Sequence, residues 1–205
     1  MTRLLHLSAS PRGTRSESRA IAETFLTAYR EADPLAEVDT WDLWDGTLPA
    51  FGPEAVAAKM AVFAGELPVG DAWARAEAAF RRFDSYDRYL FSVPMWNAGV
   101  PYVLKQFIDV VSQPGMVFGF DPVEGYTGLL SGKKAAVVYT SAVYGPGRPA
   151  SFGSDFQAPF FRDWLTWAGI TEVEEVFFRP DLATADADAG RVRAHADAAE
   201  LAKKF

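Results

Sequence analysis

Three short segments concentrate the residues able to do chemistry. The first, Ser8-Ala9-Ser10-Pro11-Arg12-Gly13-Thr14-Arg15-Ser16-Glu17-Ser18, holds four serines, a threonine, a glycine and two arginines. A bound phosphate needs convergent N–H and O–H donors, and a helix starting near Ser16 or Ser18 supplies free amides with a favourable dipole. The hydroxyls of Ser10, Ser16 and Ser18 would complete such a shell, with Arg12 and Arg15 as local positive charge. Neither G-x-G-x-x-G nor the Walker pattern is present. Taken alone, the segment reads equally well as a capped, solvated strand–helix connection. The second segment, Pro94-Met95-Trp96-Asn97-Ala98-Gly99-Val100-Pro101, offers backbone amides to a flat polar heterocycle and apolar contact from Met95 and Trp96. Fixed donors beside a ring that gains negative charge on reduction raise its electron affinity. The third, Thr140-Ser141-Ala142-Val143-Tyr144-Gly145-Pro146-Gly147, is by itself a glycine-containing turn that could close over such a ring.

Composition removes most other chemistry. The 205 residues contain no cysteine, which excludes disulfides, thiolate nucleophiles, iron–sulfur clusters and cysteine-ligated zinc. Two histidines, His6 and His195, cannot form a multi-histidine metal site, and both read as structural. Redox chemistry in such a chain requires a borrowed organic cofactor. The net charge of -7 argues against nucleic acid or an anionic membrane as the main partner. No segment approaches the roughly 20 apolar residues of a membrane span. The run Met1 to Leu7 is too short for a signal peptide, so a cytoplasmic location is expected.

The elements that must position these segments follow from periodicity. Short apolar runs at Leu4–Leu7, Val38–Leu43, Tyr89–Val93, Ala135–Thr140 and Val173–Phe178 read as buried strands. Helical patterns separate them: one from Ser16 or Ser18 with Ile21, Phe25 and Tyr29 on one face, then roughly 53–64, 70–84, 101–112, 154–168 and 184–204. Alternating strands and helices predict one α/β domain over 1–205, a five-stranded parallel sheet in the order 2-1-3-4-5 with helices on both faces. In such sheets ligands bind beyond the carboxyl ends of the strands where the order reverses, between the first and third strands. The serine-rich segment and the Pro94 segment follow those two strands.

At these residues the chain resembles the flavodoxin-like FMN-dependent NADH:quinone oxidoreductases, also called azoreductases. The likeness is carried by Ser10 with Ser16-Glu17-Ser18, by Pro94-Met95-Trp96-Asn97 and by Gly132-Lys133-Lys134. Gly115-Met116-Val117-Phe118 and Gly169-Ile170-Thr171 add to it; the match is weakest over 45–75. It implies that Ser10, Ser16, Glu17 and Ser18 hold the phosphate of FMN. Met95, Trp96, Asn97 and Ala98 would line the isoalloxazine, with Ser141, Ala142, Val143 and Tyr144 as a third contact. This last stretch departs from the Arg-Gly-Gly-like sequence common in relatives, and Ala98 is smaller than the aromatic often found there. The resemblance further implies ping-pong hydride transfer through flavin N5, from NADH or NADPH to quinones and related small aromatic acceptors, with no general acid, base or nucleophile. Phe118 and Phe120 are candidate walls for the acceptor, and 114–127 a partner-facing loop of a homodimer. The competing expectations are an FMN electron carrier without small-molecule turnover, a NADPH-linked reductase of another acceptor, and a binding module without cofactor.

Overall fold

The computed structural model describes residues 2–68 and 70–205; Met1 and Val69 lie outside the described residues. A parallel sheet forms from β1 (Arg3–Ser8), β2 (Glu37–Asp42), β3 (Arg88–Pro94), β6 (Lys134–Thr140) and β7 (Glu172–Phe178), ordered β2-β1-β3-β6-β7. Counting sheet strands alone, this is the expected 2-1-3-4-5. The central strands β1, β3 and β6 are buried along nearly their whole length, because helices cover both of their faces. That is why they read as unbroken apolar runs.

Side chains alternate between two cores. Leu5, Leu7, Tyr89, Phe91, Val137 and Tyr139 pack with α3 (Asp71–Asp84), α4 (Tyr102–Val111) and α5 (Ala158–Trp167). Leu4, Leu90, Ala136 and Val138 face α1 (Glu17–Ala32) and α6 (Ala187–Ala202). His6 belongs to the second face, its Nε2 3.1 Å from Ser92 Oγ. Burial first, then Arg19 and Arg30, lower its pKa to about 3, so the ring is neutral and structural. No helix among the described residues is long and apolar enough to cross a membrane.

The structure adds one element and trims two. Segment 114–127, expected as a loop, carries an antiparallel hairpin of β4 (Phe118–Asp121) and β5 (Gly125–Gly128) outside the main sheet. Its strands are four residues each and glycine-rich, too short for a period-2 signal. The hairpin's last residue, Gly128, is pressed against Gly169; a Cβ there would lie 2.3 Å from the Gly169 nitrogen, so only glycine fits. Helix α5 begins at Ala158 rather than near 154, since Asp155 Oδ1 accepts the Gln157 and Ala158 amides, both at 3.0 Å. Helix α6 likewise starts at Ala187, three residues later than the alanine-rich pattern suggests. The short helix α2 (Pro53–Phe63) completes the element set.

Candidate functional site

β1 ends at Ser8, and the chain passes through a single 3-10 turn, Gly13–Arg15, into α1. Ser16 is the N-cap, in extended backbone, and its Oγ accepts the Arg19 amide at 3.3 Å. The Ser16 and Ser18 hydroxyls lie 3.1 Å apart, and Ser10 Oγ accepts the Arg12 amide at 3.4 Å. All three serines are buried although the segment is a loop. Buried hydroxyls at a helix N-terminus form a donor set suited to an anion. Glu17 would oppose that anion, but its carboxylate is gripped by Arg191 through three contacts of 3.1 to 3.3 Å. The pair neutralises the charge and pins the start of α6 to α1.

Beyond β3 the chain turns sharply. The Met95 amide donates to the Thr140 carbonyl at 2.7 Å, tying the exits of β3 and β6 together. Trp96 and Gly99 exchange both backbone hydrogen bonds, at 2.9 and 3.0 Å. Between them Asn97 and Ala98 have φ of 49° and 68°. Two consecutive left-handed residues make a type I′ geometry. Asparagine tolerates this conformation; alanine has no compensating side-chain bond and carries strain of about 1 kcal/mol. The Ala98 carbonyl accepts the Phe156 amide at 2.9 Å, so this turn and the segment before α5 are one unit.

Asn97 is the corner at which three cavities meet. A cleft of 420 Å³ runs between the serine loop and the β3 exit, lined by Ser10, Arg12, Ser16, Glu17, Met95 and Asp181 among others. A cavity of 200 Å³ adjoins it beneath Ala98, Ser141, Val143 and Tyr144. The third, 670 Å³, is walled by Trp44, Trp96, Tyr102, Phe156 and Phe160.

The serine-loop and Met95–Ala98 candidates are thus brought to one place, with Ser141 to Tyr144 alongside; Ser18 lies behind Ser16, fully buried. Phe118 and Phe120 are not. Phe118 is 2% exposed, its ring 4.8 Å from Trp167 and 5.4 Å from Tyr126, a hairpin core residue rather than a wall of these cavities. Phe120 is 53% exposed on the hairpin's outer side, against Tyr126. Sequence reasoning missed Trp44, Phe156 and Phe160. Trp44 follows the carboxyl end of β2, so the strand-end rule applied to that strand would have found it. Its Nε1 donates to the Ala9 carbonyl at 3.0 Å, fixing the wall to the serine loop.

A doubly wound sheet with this cleft at its reversal point defines a mononucleotide-binding protein of the flavodoxin-like class. The family described as having the flavodoxin-like fold matches residues 2–202. A protein of Ruegeria pomeroyi named FMN-dependent NADH:quinone oxidoreductase is 47% identical, over 95% of this chain and 97% of its own. One of Pseudomonas fluorescens, FMN-dependent NADH:quinone oxidoreductase 3, is 39% identical over 100% and 99%. The crystal structure of an azoreductase from Bacillus anthracis superposes with a TM-score of 0.90 at 27% identity, each chain covered in full. The chain belongs to the family of FMN-dependent NADH:quinone oxidoreductases.

Proposed function

We propose that this protein binds FMN in the 420 Å³ cleft and uses it to reduce quinones and related planar aromatics with NADH. The observation that carries the proposal is the position of Asn97, at once in the phosphate-side cleft, in the small cavity and in the large aromatic one. A cofactor held by its phosphate at one end would present its ring beside the aromatic chamber.

The residues fit such a group. Ser10, Ser16 and the first amides of α1 would hold the phosphate, with Ser18 supporting Ser16 from behind, and Met95, Asn97 and Ala98 the ring, with Ser141 and Tyr144 on the small-cavity side. Bound FMN supplies hydride acceptance and donation, chemistry absent from the twenty side chains. What the chain itself does is positional. Trp44, Trp96, Tyr102, Phe156 and Phe160 offer aromatic faces on which a flat guest would stack. Lys105, the charged residue of that chamber, is paired with Asp109 at 2.6 Å. A one-electron carrier has no use for an aromatic chamber of this size. NADH and the acceptor would occupy it in turn, and initial rates at varied NADH and quinone should give parallel double-reciprocal lines; intersecting lines would contradict the shared chamber.

The same reading makes the protein a cytoplasmic homodimer. Its support is the β4–β5 hairpin, which presents Phe120, Val123 and Tyr126 to solvent as a contiguous set for a second copy.

A further inference from the structure

Asp181 stands where the chain leaves β7 and returns to the cleft. Its amide donates to the Ser141 carbonyl at 2.8 Å, and the Leu182 amide to that of Ala142 at 3.0 Å. The segment after β7 is therefore laced to the segment after β6, on the ring side of the site. Asp181 is 7% exposed as a residue and lines the cleft together with Ser10, Arg12, Ser16 and Asn97. Among the described residues it accepts no hydrogen bond. Arg191 is committed to Glu17 and Asp188. Burial, and then the Glu17 charge, hold the acid above the ordinary carboxylate range, while Arg12 and Arg191 act in the other direction.

A carboxyl that lines the cleft and meets no donor of its own chain leaves its acceptor capacity to a donor that arrives with the ligand. A phosphate is the wrong guest for it, since acceptor would face acceptor. A flat ring has few donors to offer at its edge. Between the two lies the part of the cofactor that carries neutral hydroxyl donors.

We infer that Asp181 is the acceptor for the hydroxylated chain joining phosphate to ring, so that the cleft recognises a polyol phosphate and not merely a phosphate. This inference rests on the FMN reading above. It assigns each stretch of the cleft one ligand chemistry: hydroxyl donors of Ser10 and Ser16 for the anion, the Asp181 acceptor for the polyol, and the Asn97 turn for the ring.

The test compares apoprotein of the wild type, Asp181→Ala and Asp181→Asn in two titrations. FMN binding is read by quenching of flavin fluorescence, and inorganic phosphate binding by the shift in melting temperature. In Asp181→Ala the Kd for FMN should rise about tenfold, the equivalent of roughly 1.4 kcal/mol, through loss of charge-assisted hydrogen bonds. The Kd for phosphate should stay constant or fall, because a negative charge near the anion is gone. Asp181→Asn should lie between, since it keeps one acceptor oxygen. Unchanged or tighter FMN binding in Asp181→Ala overturns the assignment and leaves the carboxylate as a mere repulsion of the phosphate. Parallel loss of FMN and phosphate affinity in both variants overturns it too, as collapse of the cleft. A wild-type apoprotein that binds phosphate but not FMN sinks the FMN reading itself, and is told apart because it needs no variant.

Discussion

Replacing Ser16 and Ser18 together by alanine should weaken FMN binding roughly ten- to hundredfold. Both hydroxyls are buried, lie 3.1 Å apart and stand at the first turn of α1. Ser16 lines the cleft while Ser18 lies behind it and bonds to it, so one hydroxyl faces the phosphate; a hydrogen bond to a charged group is worth about 1.5–3 kcal/mol, and binding should fall by about that much. Arg12 cannot compensate well, because its side chain is on the exposed rim. The variant should fold: removing the Ser16 cap costs about 1 kcal/mol of stability, since the Arg19 amide loses its acceptor. Titration of apoprotein with FMN reads the effect, and an unaltered Kd would remove the serine loop from the site.

Asp155→Ala should be the most destabilising single change in the walls of the site, by about 3–5 kcal/mol, because it strands a buried charge. The Arg179 side chain is 3% exposed, lies over the rings of Tyr139, Phe177 and Tyr144, and pairs with Asp155 Oδ2. Its second nitrogen donates to Gln157 Oε1 at 3.0 Å, and Gln157 Nε2 in turn to the Val93 carbonyl at 2.9 Å. The other Asp155 oxygen caps α5. One carboxylate therefore holds the end of β7, the start of α5 and, through Phe156, the strained Ala98 turn. Urea unfolding measures the loss. Arg179→Met added to Asp155→Ala should recover much of it, since the uncompensated charge is then absent; a single variant losing under about 1 kcal/mol would show the pair to be solvent-screened.

The sheet was legible in the sequence because its central strands are buried on both faces, and Tyr89–Val93 and Ala135–Thr140 can be nothing else. Edge strands were legible less from themselves than from the alternation of helices around them; β2 and β7 expose many side chains. The hairpin at 118–128 was missed because its stability comes from Gly128 against Gly169 and Phe118 against Trp167, contacts invisible in local pattern. Within this chain Phe118, expected as an acceptor wall, packs against Trp167 in the hairpin core. Within the site, the serine loop and Met95–Ala98 could be read because each is contiguous and directly follows a strand. Trp44 was legible by the same strand-end rule applied to β2; Asp155, Phe156, Arg179 and Asp181 were not, because separate connections bring them together and no spacing relates them. Glu17 shows the intermediate case: its position was legible, its pairing to Arg191 across 174 residues was not.

Flavin held in the cleft should pass hydride from NADH to a quinone. An absorbance scan of the purified protein, followed by anaerobic NADH and then benzoquinone, tests it most directly. Flavin bands should be present in the protein as isolated or after addition of FMN, bleach with NADH and return with the quinone. A protein that neither carries nor takes up flavin, or whose bound flavin NADH leaves oxidised, would contradict it.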